Sequence, residues 1–510
     1  MKTIHSLLLG VAAVLSITAF VRARCPDVPN PDPALQRQVE FRIDSRVDEE
    51  SAWLLVQQMI PGDEEILAQA PGRRTYAIRI SQGNEVTVAT MLENNLVTTN
   101  PAVPNPNRPL LWAEAGYRTT AAEGHTGSAF DSSRVNYGQM YPQQYFMQQL
   151  NVPGAQLRST GRGVAVAVID TGVDASHPDL AGVVRGDGYN FLAGDTNTAD
   201  VGDGVDSDGD LLVDEMTGHG TFVAGIIHLI APEATILPIV ALDSDGIGDC
   251  FHVALAIYYA IDHGVEIINC SLGSTYDSHA IADAVLEAKN RGIIVVAAAG
   301  NRATMGNPCE FPALVTIERD SPLEDLPLAF GVTAVNDNDI LGTFANTADE
   351  VLFCAPGVSV RSGQQYDETR SILSTLPGDE YGAWEGSSFS SAIVAGGAAL
   401  IRAQRPDWAP GAVHEQMLST LQSTAVNVDG LNPGYAGTMG RRINIGAAAA
   451  AQPPMPLPGD LDNDGGVSLQ DLAILLGDFG LVHSPGDIDA DGDVDVQDLA
   501  HLLGNFGETR

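Results

Sequence analysis

Two kinds of apolar pattern alternate between Val164 and Gln404. Short unbroken runs at Val164–Ile169, Ile236–Val240, Glu266–Cys270 and Ile293–Ala298 predict buried strands. Longer stretches at Phe251–Asp262, His279–Asn290 and Phe389–Gln404 predict helices between and after them. Unbroken apolar runs belong to strands covered on both faces, and parallel strands need crossover helices to join them. Residues 136–448 are therefore expected to form an α/β domain around a parallel sheet. Upstream, residues 24–109 read as a small α+β region, with a helix near Ala52–Met59 and strands at Thr75–Ile80 and Glu85–Met91. Proline-rich Asn100–Pro109 and the Gly, Ser and Tyr content after Gly116 suggest a linker over residues 110–135.

Both ends of the chain carry their own signals. Lys2, the apolar run Leu7–Phe20 and the small residues Val21 and Ala23 match a signal peptide over residues 1–23. That run is short for a membrane span, and no later segment is apolar for long enough to cross a bilayer. The expected product is an exported protein, extracellular or cell-surface associated. At the other end, Gln452-Pro-Pro-Met-Pro-Leu-Pro458 lies in a semi-rigid spacer, residues 449–458. Beyond it, over 459–510, Asp460, Asp462, Asp464, Asp471, Leu472, Leu475, Leu476 and Phe479 recur as Asp487, Asp489, Asp491, Asp498, Leu499, Leu502, Leu503 and Phe506. Eight identities at one fixed offset mark an internal repeat.

Composition narrows the partners. The 510 residues hold 26 basic and 65 acidic side chains, a net charge of −39, which argues against a general nucleic-acid binder, since that needs a basic face. The same charge disfavours anionic membranes and suits a collector of divalent cations. Five scattered cysteines, Cys25, Cys250, Cys270, Cys309 and Cys354, are too few for a disulfide scaffold and lack metal-pair spacing.

Three motifs in the α/β zone carry chemistry together. Val-Ile-Asp170-Thr-Gly-Val-Asp174 puts a carboxylate at a strand end, and Gly218-His219-Gly-Thr opens an apolar helix with a histidine. Gly386-Ser387-Ser388-Phe-Ser-Ser starts another helix with a serine. A serine hydroxyl is a weak nucleophile until a base removes its proton, and the base needs a carboxylate to orient it. A helix start at Ser388 adds backbone donors for developing negative charge. Asp170-Thr-Gly172 alone also matches the aspartic-protease signature, but it occurs once and would leave the histidine and serine motifs unexplained.

The order Asp…His…Ser and these local sequences resemble the subtilisin-like serine proteases, the subtilase family, from about Val152 to Ala448. The resemblance implies a subtilisin-like parallel sheet with helices on both faces and a serine endopeptidase acting on proteins or peptides through an acyl-enzyme. It implies a triad of Asp170, His219 and Ser388. Val296-Ala-Ala-Ala-Gly300-Asn301 matches the family's oxyanion-hole asparagine, and Asn269-Cys-Ser271-Leu272-Gly273 matches its substrate-binding strand. Phe344-Ala-Asn346 and Ala355-Pro-Gly357 match further signatures. Ser387 and Ser391-Ala392 depart from the usual threonine and alanine-proline, and the spacing of Ser390 and Ser391 from Gly386 makes them decoys. Residues 24–109 resemble, in position and layout, a subtilase propeptide, an inhibitor that blocks the cleft until it is cut off. The alternative is an inactive subtilase scaffold used as a secreted binding or adhesion protein.

Calcium is the expected cofactor. Each tail repeat places Asp at loop positions 1, 3, 5 and 12, with Gly465 or Gly492 at the sharp turn, and runs into an amphipathic helix, Leu469–Leu476 or Val496–Leu503. Two such EF-hand-like loops behind a proline-rich spacer resemble a dockerin module, which implies a cohesin-like partner. A third acidic run supplies Asp206, Asp208 and Asp210 as ligands just before His219, though Leu211 stands where the turn glycine belongs.

Overall fold

The computed structural model describes residues 34–70, 72–123, 136–308, 310–317, 326–362, 365–451, 467–479 and 494–506, together with Leu461 and Ile488. The signal-peptide pattern, Cys25, Cys309 and the tail aspartates Asp460, Asp462, Asp464, Asp487, Asp489 and Asp491 lie outside the described residues.

The N-terminal region runs β1 (Ala34–Ile43), α1 (Glu49–Met59), β2 (Glu64–Ala70), β3 (Thr75–Ile80), α2 (Glu85–Leu96) and β4 (Leu110–Ala121). Its strands pair antiparallel in the order β4-β1-β3-β2. One face packs Val39, Phe41, Ile43, Ile78 and Ile80 against Val56 of α1 and Val88 and Leu92 of α2. Two expectations change here. Glu85–Met91 is helical: the Asn84 side chain caps the Thr87 N–H, and Val88, Ala89, Leu92 and Leu96 fall on one buried helical face. Leu110–Ala121, inside the span read as linker, is a twelve-residue strand, because its largely buried side chains pack within the molecule and its backbone groups are taken up by neighbouring strands.

The domain that follows contains β5 (Ala165–Asp170), β6 (Tyr189–Asn190), α3 (His219–Ile230), β7 (Thr235–Val240), β8 (Ile247–Asp249), α4 (Cys250–Asp262), β9 (Ile267–Cys270) and β10 (Leu272–Gly273). Next come α5 (His279–Asn290), β11 (Ile294–Ala298), β12 (Phe330–Val335), β13 (Phe353–Pro356), β14 (Ile372–Leu376) and β15 (Glu380–Trp384). The domain closes with α6 (Ser387–Gln404), α7 (Pro410–Thr424) and β16 (Arg441–Arg442). Among the described residues, eight strands form one sheet in the order β16-β13-β12-β11-β9-β5-β7-β6. Every pairing in it is parallel, as the unbroken apolar runs predict. Val166, Ile169, Ile267, Ile268, Ile294 and Val296 are fully buried within it.

Helix α6 is buried over nearly its whole length. Its close contact with α3 depends on Gly396, where a Cβ would lie 2.9 Å from Ile230 Cβ. Strands β5, β9 and β11 all end at one edge, and α3 and α6 both begin there. In open parallel sheets that carboxyl edge is where ligands bind.

The second sheet reaches the same edge from the N-terminal region. Beyond β1, strand β4 continues between β10 and β8, antiparallel to both. Arg42 and Trp112 meet Asp283 at 2.8 and 2.6 Å, and Arg73 pairs with Asp262 and Glu287 at 2.8 and 3.0 Å. The buried Glu114 carboxylate accepts hydrogen bonds from Ser278 Oγ and from the His279 and Ala280 N–H groups at the start of α5. A carboxylate at a helix N-terminus satisfies orphan donors and opposes the positive end of the dipole.

The chain divides into two compact units at residue 448, and the tail is the second. It contains α8 (Leu469–Asp478) and α9 (Val496–Gly504), packed through Val467, Leu475, Val494 and Leu502. Both helices start in a capping box, formed by Ser468 with Asp471 and by Asp495 with Asp498.

Candidate active site

Asp170 ends β5, fully buried, and its Oδ1 lies 2.7 Å from His219 Nδ1. His219 begins α3 and is held there by a residue the sequence motifs did not include. Asp200 accepts from the Gly218 and Thr221 N–H groups and from the Thr171 and Thr221 hydroxyls. It does for α3 what an N-cap side chain does, since Gly218 has none. Burial lifts the Asp200 carboxyl to about 6, against these donors. No short motif marks this role, and an isolated aspartate in a loop gives no signal of it.

Ser388 lies in the first turn of α6, and its Oγ donates to Ser271 O at 3.0 Å and to Glu123 Oε2 at 2.6 Å. Glu123 follows the end of β4 and is 1% exposed. The same Oε2 lies 2.8 Å from His219 Nε2, so this carboxylate bridges the serine and the histidine. Its Oε1 accepts from Asn301 Nδ2 at 3.0 Å and from the Ser388 N–H at 3.3 Å. Asn301 is oriented by its own Oδ1, which accepts the Ser387 N–H at 3.0 Å. Gly300 before it has φ +100, where a Cβ would also strike Glu310 and Asn346. Gly386 leaves the space that Glu123 fills, because a Cβ there would overlap the carboxylate.

Burial alone would push the His219 pKa down, but the carboxylates of Asp170 and Glu123 outweigh it and hold the imidazole well above its ordinary value. Ser390 and Ser391 have other partners: Ser390 Oγ donates to Ala355 O and Pro356 O, and Ser391 Oγ to Ser388 O. Leu272 and Gly273 pair with Ala121 and Thr120, and Ser271 O accepts the Ala122 N–H. The structure thus brings Asp170, His219, Ser388, Asn301 and Ser271–Gly273 to one edge, with Glu123 among them.

The loop before α3 holds the acidic run. Asp206, Asp208 and Asp210 each offer an oxygen, all within 4.8 Å of one another. Both carboxylate oxygens of Glu215 are shut from solvent with no hydrogen-bond partner among the described residues. Burial first, then the charges of Asp245, Asp210 and Asp208, push the Glu215 carboxyl up to about 7. An oxygen-rich, mutually repelling set of this kind fits a hard divalent cation. Leu211 takes φ +78 there, the left-handed conformation expected of the glycine it replaces. In the tail, Asp471 and Asp498 are buried and accept the Leu461 and Ile488 N–H groups respectively. Among the described residues, Cys250, Cys270 and Cys354 are buried free thiols. No described helix is long and apolar enough to cross a membrane.

A parallel sheet with serine, histidine, aspartate and asparagine gathered at its carboxyl edge is the architecture of an α/β serine hydrolase. The chain belongs to the subtilase family, whose model matches residues 161–440. It is 34% identical over 329 residues to subtilisin E of Bacillus subtilis (strain 168), covering 61% of this chain and 72% of that one. Thermitase of Thermoactinomyces vulgaris is 32% identical over 304 residues, covering 58% of this chain and 92% of the relative. The crystal structure of fervidolysin from Fervidobacterium pennivorans, a keratinolytic enzyme related to subtilisin, shares the fold. Its TM-score is 0.61 at 20% identity, over 85% of this chain and 63% of that one. The protein is a serine-type endopeptidase.

Proposed function

We propose that Asp170, His219, Ser388 and Asn301 carry the peptidase reaction. Ser388 Oγ attacks the scissile carbonyl while His219 Nε2 takes its proton and later gives it to the leaving amine. Asp170 fixes the tautomer through Nδ1 and stabilises the imidazolium. Asn301 Nδ2 and the Ser388 N–H stabilise the oxyanion. The observation that carries this reading is the seating of Glu123: one oxygen meets Asn301 Nδ2 and the Ser388 N–H, the other meets Ser388 Oγ and His219 Nε2. A carboxylate so bound occupies the place of a tetrahedral intermediate or product. Substrates add as a strand along Ser271, Leu272 and Gly273, as β4 does.

The enzyme is secreted, and residues up to the cleft act as its propeptide, a role supported by the run of β4 into the site. Calcium would be held by Asp206, Asp208 and Asp210, whose oxygens converge, bracing the segment that leads to His219. In the tail, Asp460, Asp462, Asp464 and Asp471, and Asp487, Asp489, Asp491 and Asp498, form two calcium loops of a dockerin-like module with a cohesin-like partner. The paired capping boxes and the shared Leu475–Leu502 core support the module's twofold repeat. Treating the calcium-loaded, processed protein with a fluorophosphonate probe tests the catalytic assignment. Label is expected on Ser388 and lost in His219→Ala. A folded, processed protein that takes no label on Ser388 overturns it.

A further inference from the structure

The run of β4 into the cleft identifies one bond. Arg118, Thr119 and Thr120 pair with Asp249, Gly248 and Ile247 on one side, while Thr120 and Ala121 pair with Gly273 and Leu272 on the other. The Ala121 N–H donates to Gly246 O at 2.7 Å and the Ala122 N–H to Ser271 O at 3.4 Å. Ser388 Oγ donates to that same Ser271 O. The hydroxyl and the Ala122 amide therefore converge on one acceptor, and the carbonyl that follows this amide along the chain is Ala122's own.

The side chains in this segment are small and enclosed. Thr119, Thr120, Ala121 and Ala122 are 0%, 2%, 1% and 4% exposed. Ala121 Cβ faces Gly246, where an added Cβ would lie 2.9 Å away, and Thr119 Cγ2 would stand 3.2 Å from a Cβ on Gly248. Thr119 Oγ1 donates to Gly273 O, and the buried Arg302 donates through Nη2 to Thr120 Oγ1 at 3.0 Å. These walls admit short uncharged side chains, with an acceptor oxygen favoured opposite Arg302.

Resting on the peptidase reading above, we propose that the enzyme cuts its own chain between Ala122 and Glu123, and that its substrates are extended peptides with small uncharged side chains in the four positions before the bond. Glu123 must first swing out from between Ser388 and His219. Ser388 Oγ then bonds to the Ala122 carbonyl carbon as its proton passes to His219 Nε2. The Ala122–Glu123 C–N bond breaks, and that proton leaves on the Glu123 nitrogen as the new amino terminus. Water hydrolyses the Ala122–Ser388 ester, its hydroxyl completing the Ala122 carboxyl group and its proton returning to the Ser388 oxygen.

Intact mass and N-terminal mapping of the full chain and its Ser388→Ala variant, sampled early after folding, test this alongside fluorophosphonate labelling. A new terminus at Glu123 that is absent from Ser388→Ala supports the proposal. A Ser388-dependent terminus elsewhere, or labelling of Ser388 without any cut, overturns it while the peptidase reading stands. Neither cut nor label overturns both. Ala122→Arg is expected to slow the cut about tenfold or more, with Ala122→Ser cutting close to the parent rate. Equal rates for all three would overturn the small-residue preference.

Discussion

Glu123 Oε2 takes the hydrogen bond of Ser388 Oγ at 2.6 Å, in the position where a serine nucleophile would otherwise face its base. The same oxygen is 2.8 Å from His219 Nε2, so the uncut chain holds its histidine between two carboxylates. Replacing Glu123 by Gln in a Ser388→Ala background removes one of them. The His219 pKa is expected to fall toward the ordinary histidine value, as read by proton NMR of the imidazole.

The same contact makes stability depend on pH. The folded His219 value lies above the unfolded one, so this stabilisation is complete below about 6.5 and is lost as pH rises through the folded value. Urea unfolding of uncut Ser388→Ala is expected to show a decline on the alkaline side, which Glu123→Gln makes shallower.

Asn301 is tied by Oδ1 to the Ser387 N–H, which turns its amide donors toward the Glu123 oxygen. Asn301→Ala is expected to lower kcat about a hundred- to thousandfold with little change in KM. Steady-state kinetics on the processed enzyme with a small-residue peptide check this.

Around Glu215 the sign is set by a raised carboxyl. Its folded value of about 7 exceeds the unfolded one, so in chelator the protein is expected to lose stability as pH climbs from about 4.5 through about 7. Calcium on the neighbouring Asp206, Asp208 and Asp210 should offset their charge, favour the ionised Glu215 and remove that decline. Thermal melts with calcium and with chelator read the difference, and Glu215→Gln should flatten the chelator curve.

Leu211 is 88% exposed and takes φ +78, so it carries backbone strain with little packing in return. Leu211→Gly is expected to stabilise the protein by about 1 kcal/mol after glycine's own entropic cost. The shift in the urea midpoint measures it.

Short-range pattern made most of the site visible. The strand ends before Asp170 and Ser271 and the helix starts at His219 and Ser388 are local events, written in a few consecutive residues. A short pattern window misleads at Glu85-Val-Thr-Val-Ala-Thr, which has the alternation of a strand, and only the spacing of Val88, Leu92 and Leu96 reveals a helical face. Asp200 and Glu123 give no signal for a different reason. Each acts on residues brought to it by tertiary folding, and nothing in its immediate neighbours encodes that meeting. For β4, its twelve residues predict neither the partner β1 nor the distant partner β10, about 150 residues on.

Strand β4 belongs to the N-terminal sheet at one end and to the cleft at the other. While the chain is whole, its occupation of the cleft is unimolecular and indifferent to dilution. Once severed, the same pairing obeys mass action, and the high effective concentration of a tethered strand is gone. The salt links of Arg42 and Arg73 and the Glu114 cap then set how slowly the fragment departs, so the appearance of activity after the cut becomes a matter of protein concentration and ionic strength.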